Sequence, residues 1–78
     1  MLILFTSYLF MKFDYYIENI ELHGLVIPMS FDGDVSAIAW TKQKSFNCGC
    51  PMLLSVLSGD DIVPVGIATP GQGYFKKL

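Results

Sequence analysis

The sequence is poor in charged residues, and this shortage limits what its surface can look like. Only 15% of its 78 residues are Asp, Glu, Lys or Arg, whereas 53% are hydrophobic. A typical soluble domain has about 25% charged residues, and a domain of this length buries only about 60% of the surface that its unfolded chain exposes. We therefore expect a contiguous apolar patch on the outside, which is typical of a surface that contacts a partner.

An excess of positive charge is also missing. The formal net charge is −2 and the sequence pI is about 4.9. Neutralisation of phosphates by Lys and Arg dominates nucleic-acid affinity, so we do not expect nucleic acid as a partner.

Cysteine is scarce, with only Cys48 and Cys50 in the chain. Two cysteines separated by a single residue do not form the disulfide framework of a small secreted domain. We therefore expect a reducing compartment, the cytoplasm, and keep membrane association as the alternative.

Histidine occurs once, at His23, and no serine or cysteine nucleophile stands beside it in a recognisable motif. The acidic turns at residues 32–34 and 60–61 lack the calcium-loop pattern. The sequence thus predicts no enzyme activity and no cofactor.

The Cys48-Gly-Cys50 motif offers two thiolates, and His23 is a candidate third metal ligand. Structural zinc sites use wider cysteine spacings and four ligands, which makes this metal site only an alternative. The simpler interpretation places Cys48 and Cys50 as small apolar side chains on one face at the start of a strand.

The first eleven residues are apolar, and we divide the chain into this segment, 1–11, and a single small β-rich domain, 12–78. No Lys or Arg precedes the segment and no small-residue cleavage site follows it, which disfavours a secretory signal. A membrane-spanning helix needs about 20 apolar residues, so we favour a buried strand or short helix over a tether. Met11 is an alternative start of the natural chain.

Alternating hydrophobicity predicts strands in most of the remaining chain. Residues 12–23 fit a strand, with a helix as the alternative, and residues 25–31 fit an edge strand because Pro28 cannot donate to a ladder. Turns follow at residues 32–34, where Gly33 is expected to have a positive φ, at 58–61 and at 69–73. Further strands are predicted at 35–41, 52–57, 62–68 and 74–78, with an exposed connection at 42–51.

This spacing predicts a mainly β fold, a small antiparallel meander or a partly open barrel. The alternative is an α+β fold in which a helix within residues 1–22 packs on the sheet. Trp40 is expected in the core.

The hydrophobic surplus, without a catalytic set, favours a non-enzymatic accessory or inhibitory module that binds another protein or itself. A membrane-tethered subunit is a further alternative. An unpaired strand edge is a possible contact surface. The predicted contact residues lie near the N-terminus: Leu4, Phe5, Tyr8, Phe10, Tyr15 and Tyr16.

Overall fold

A computed structural model describes residues 13–22, 25–72 and 74–78 of the chain. Their elements, in chain order, are β1 (Tyr15–Asn19), β2 (Val26–Met29), α1 (Asp34–Cys48), β3 (Met52–Ser58), β4 (Asp61–Thr69), a 3₁₀ turn (Pro70–Gln72) and β5 (Tyr74–Lys77). The five strands form one open antiparallel sheet in the order β2-β1-β3-β4-β5. The prediction of a mainly β fold is confirmed, and the sheet does not close into a barrel.

The strand predictions agree with the sheet at its centre and at both edges. β3, predicted as a central strand from its continuous apolar run, is the middle of the five. Pro28 lies in the edge strand β2, where a missing backbone donor is tolerated. Pro64 lies in β4 opposite Ser55, next to a register shift between Leu54 and Ser55 that accommodates it.

The prediction for the segment 35–48 is wrong. Residues 35–41 were assigned to a strand and residues 42–51 to a loop, but Asp34–Cys48 is a helix. Alternating Val35, Ala37 and Ala39 resembles a strand pattern, but alanine, lysine and glutamine are strong helix formers. Gly33 starts this helix with φ 176°, an extended conformation, so the predicted hairpin turn is also wrong.

Helix α1 lies close to the sheet because its inner face carries small residues. Ala37, Thr41 and Ser45 recur every fourth position and are fully buried. The Thr41 hydroxyl donates to the carbonyl of Ala37 at 2.7 Å, and the Ser45 hydroxyl lies 2.7 Å from the carbonyl oxygen of Cys50 and 3.2 Å from that of Ala68. These bonds satisfy hydroxyl groups that would otherwise be costly to bury.

The core between α1 and the sheet is built around Ile17 and Leu54, which are fully buried on the adjacent strands β1 and β3. Trp40 is partly buried and packs against this core, as expected. Its ring lies 6.1 Å from that of Phe31, which makes an edge contact with Tyr15 at 5.5 Å.

The N-terminal segment, residues 1–11, lies outside the described residues. The alternative of a helix within residues 1–22 is wrong for Tyr15–Asn19, which form strand β1. Within residues 13–22, 25–72 and 74–78, no helix is long and apolar enough to cross a membrane.

Gly66 of β4 is required where the edge strand β5 pairs with β4. A Cβ atom at this position would lie 2.5 Å from the Lys76 carbonyl oxygen and 2.5 Å from the Phe75 ring. We expect Gly66→Ala to lower the free energy of unfolding by about 1–3 kcal/mol because the backbone and ring must shift. Gly71→Ala, where a Cβ would meet nothing within 4 Å, is the control. Equal thermal unfolding midpoints for the two variants would contradict this account of β5 packing.

The Tyr15 hydroxyl donates to Asp34 Oδ1 at 2.6 Å and thereby joins β1 to the start of α1. This bond, together with burial, raises the pKa of Tyr15 to about 12. Its contribution to stability is therefore fully present below about pH 10, the ordinary tyrosine pKa, and is lost as the pH rises through the folded-state value.

We expect Tyr15→Phe to lower the free energy of unfolding at pH 7 by about 1.5–3 kcal/mol, the range for a hydrogen bond to a charged group. The difference from the unaltered protein should shrink as the pH rises beyond about 10. Urea unfolding of both proteins at several pH values measures this difference in stability. Burial also raises the pKa of Tyr16, but Tyr16 is present in both proteins, so its ionisation affects their stability equally. A difference that stays constant through alkaline pH would rule out this role for the bond.

Candidate functional site

A cavity of about 430 Å³ opens at the C-terminal end of α1, and we call it the helix-end cleft. The last turns of α1, the start of β3, β2 and the β1–β2 connection form its walls. Its apolar lining comes from Leu22, Leu25, Val26, Ile27 and Met52. Its polar lining comes from Asn19, Lys44 and the two cysteines. An apolar concavity with a few polar groups, in this volume range, is the usual form of a binding site.

Asn19, at the end of β1, makes hydrogen bonds to Glu21, Leu22 and Leu25. Its backbone N–H donates to the Leu25 carbonyl at 3.2 Å. Its side-chain oxygen accepts from the backbone N–H groups of Glu21 at 3.0 Å and Leu22 at 3.1 Å. Asn19 is only 8% exposed and lies at the base of the cleft. Its hydrogen bonds fix the backbone positions of Leu22 and Leu25, whose side chains are more exposed.

The rim of the cleft exposes apolar side chains. Leu22 is 57% exposed, Leu25 is 56% exposed and Val26 is 43% exposed, and all three line this one cavity. Single exposed apolar side chains are normal, but several around one concavity indicate a contact surface. Part of the exposed apolar surface that the composition predicts therefore lies at this cleft.

The two cysteines line the cleft but differ in environment. Cys48 ends α1 and is exposed, whereas Cys50 is buried in the connection to β3, and both are free. Gly49 between them has φ +72°, the left-handed conformation that ends a helix. The prediction of a strand start is therefore wrong for Cys48, which ends a helix, whereas both side chains do line the same cleft.

Burial raises the pKa of the Cys50 thiol, and the neighbouring Cys48 raises it further, although a hydrogen bond from Asn19 acts against this. The Asn19 side-chain N–H donates to Cys50 Sγ at 3.2 Å. Because the thiolate is the metal ligand and nucleophile, a raised pKa makes Cys50 a poorer one.

In the described part of the chain, no third metal ligand accompanies Cys48 and Cys50, as the alternative metal site would need. Residues 13–22, 25–72 and 74–78 contain no group of three or more His, Cys, Asp or Glu side chains that could hold a metal ion. His23, the third candidate, lies outside the described residues.

The predicted contact residues fall into two groups. Tyr15 and Tyr16 are 6% and 5% exposed, so their side chains offer little surface. Leu4, Phe5, Tyr8 and Phe10 lie outside the described residues, and their role stays a prediction.

Leu22, Leu25 and Val26 were not predicted as contact residues from the sequence. The available signal was a pair of leucines close to Gly24.

Comparisons with protein-family models, with curated proteins and with solved structures found no match to this chain.

The cysteine environments predict selective labelling. In the native protein Cys48 should react with a thiol reagent such as iodoacetamide, while Cys50 should react at least about tenfold more slowly because it is buried and its pKa is raised. Intact mass over time should show one adduct, then two only after denaturation. The variants Cys48→Ser and Cys50→Ala assign each adduct, and equal native rates would contradict the cleft geometry.

Proposed function

We propose that this protein is a non-enzymatic binding module that takes an apolar segment of another protein into the helix-end cleft. The observation that carries the proposal is the clustering of exposed Leu22, Leu25 and Val26 around a concave site with a buried polar floor. Such a module acts as an accessory subunit or as an inhibitor that covers a surface of its partner.

The cleft is a better contact surface than the edges of the sheet. β2 is four residues long and contains Pro28, which removes a backbone donor. β5 is equally short and ends in Lys76 and Lys77. Short edges with proline or lysine discourage the addition of another strand, so contact through side chains is favoured.

The polar lining suggests the chemistry of the partner segment. Lys44 is a cationic side chain of the lining, and the remaining walls are mostly apolar. A segment with two or three apolar side chains and a nearby carboxylate would fill the walls and pair with the ammonium group. We propose a reducing compartment, the cytoplasm, as the place of action because both thiols are free.

Selection from a displayed peptide library tests the proposal without a known partner. The unaltered protein should enrich apolar peptides that contain an acidic residue. Binding of a selected peptide to Leu22→Lys/Leu25→Lys should be at least about tenfold weaker, because two apolar contacts are replaced by charge. The peptide should also shift the methyl NMR signals of Ile27 and Met52, which lie in the cleft.

Ile62→Lys is the matched control, since Ile62 is 51% exposed but does not line the cleft. It should leave peptide affinity unchanged. Peptides that bind the cleft variant and the control equally, or that leave the cleft signals unmoved, would refute this site.

A thiol or metal site is the second candidate function, and the presence of Cys48 and Cys50 in one cleft favours it. Native mass spectrometry with zinc or copper(I) tests it directly. A bound ion that disappears in Cys48→Ser would support this function over peptide binding. A membrane-tethered subunit remains a proposal that depends on residues 1–11.

A further inference from the structure

The end of α1 brings the two thiols of the chain close together. Cys48 is the last residue of α1 and is exposed, whereas Cys50 is buried in the connection to β3. Both side chains line the helix-end cleft. Burial is the largest cause that raises the pKa of Cys50, and a hydrogen bond between its thiol and that of Cys48 is another. The two sulfur atoms therefore lie within hydrogen-bonding distance of each other.

Gly49 sets the separation of the two cysteines. Its φ of 72° and ψ of 28° are a left-handed helical conformation. A residue in a helical conformation of either hand holds the Cα atoms on its two sides about 5.4 Å apart, whereas a residue in a strand holds them about 6.8 Å apart. Disulfides usually span Cα separations of about 4.4–6.8 Å. The turn that ends α1 therefore gives Cys48 and Cys50 a separation that a disulfide can bridge.

The two cysteines differ in how firmly they are held. The backbone N–H of Cys50 donates to the Ser45 carbonyl at 3.3 Å, and the Ser45 hydroxyl lies 2.7 Å from the Cys50 carbonyl oxygen. The Asn19 side-chain N–H donates to Cys50 Sγ at 3.2 Å. Cys48 has an exposed side chain, so rotation of this side chain brings its sulfur to the fixed sulfur of Cys50.

We propose that Cys48 and Cys50 are a site of reversible oxidation, at which a small hydroperoxide converts the two thiols into an internal disulfide. Such a disulfide rests on the thiol site that is the second candidate function, and it gives this site a substrate class. It does not depend on peptide binding.

The exposure of the two thiols gives the order of the steps. The thiolate of exposed Cys48 attacks one oxygen of the hydroperoxide, the O–O bond breaks, and Cys48 becomes a sulfenic acid, while the other oxygen leaves as alcohol, or as water from hydrogen peroxide, after taking a proton. The sulfur of Cys50 then attacks the sulfur of Cys48. The S–O bond breaks, water leaves with the proton of Cys50, and the S–S bond forms. The two thiols together give two electrons to the hydroperoxide.

The reverse reaction needs a small thiol such as glutathione. The thiol attacks the exposed sulfur of Cys48, and Cys50 leaves as a thiolate that takes a proton. A second thiol then releases Cys48, so two electrons return to the pair and the small thiol becomes its disulfide. Because a single residue separates the cysteines, the disulfide ring is small and strained, and we expect it to be reduced readily.

Hydrogen peroxide added to the full chain tests the site. Intact mass is followed over time, with denaturation and iodoacetamide labelling of the remaining thiols. The unaltered protein should lose the mass of two hydrogen atoms and both labelling sites together, and reduced glutathione should restore both. Cys50→Ala should instead stop at a sulfenic acid on Cys48 that dimedone traps. Only sulfenic or sulfinic acid in the unaltered protein, or only disulfides between two chains, would overturn the proposal.

The double variant Ile62→Cys/Cys48→Ser is the matched control, because it keeps buried Cys50 and one exposed thiol. Residue 62 pairs with Leu57, at the other end of β3 from Met52 and about 17 Å away along the strand. This variant should form at least about tenfold less internal disulfide, since its thiols are too far apart. Equal amounts in both proteins would show that the disulfide forms in unfolded chains and would overturn the native site.

Zinc or copper(I) binding by the reduced protein, measured by native mass spectrometry, separates this proposal from the thiol site on which it rests. Metal binding without an internal disulfide after peroxide treatment would overturn the oxidation and keep the thiol site. An internal disulfide without metal binding would support the oxidation.

Discussion

The close contact between α1 and the sheet is the constraint on which the rest of this structure depends. It exists because Ala37, Thr41 and Ser45 place little volume between helix and sheet, while the hydroxyl groups of Thr41 and Ser45 are satisfied by nearby carbonyls. Ala68 on the opposing strand β4 is also small and fully buried, and its carbonyl oxygen lies 3.2 Å from the Ser45 hydroxyl. Larger residues on either side would separate the layers, since protein interiors tolerate little added volume.

Because the buried face of α1 carries small residues, some of its larger apolar residues lie on its exposed face. The larger apolar residues Val35 and Phe46 point away from the sheet, where they are exposed. The bulky apolar residues of α1 are thus divided, since Ile38 and Trp40 pack against the core while Val35 and Phe46 are exposed. Part of the hydrophobic surplus of the composition is therefore explained by how α1 packs.

The end of α1 creates the second apolar surface. Gly49 turns the chain in the left-handed conformation, and the Ser45 carbonyl accepts from the backbone N–H groups of Gly49 at 2.9 Å and Cys50 at 3.3 Å. The chain then enters β3 beside Asn19, whose bonds hold Leu22 and Leu25 at the rim.

The sequence by itself determined most of the sheet. Strands were located by alternating or continuous apolar runs bounded by Gly, Pro and Asp, and Pro28 indicated an edge strand. These patterns can be read from the sequence because they depend only on neighbours along the chain. The helix was missed because its small buried face, Ala37, Thr41 and Ser45, has no bulky periodic signal, although Gly49 and Pro51 did mark its end. Only the tertiary structure decided which apolar residues are exposed. The cleft joins residues 19–27 to residues 44–52 across strands and a helix, and sequence periodicity carries no information about such distant contacts.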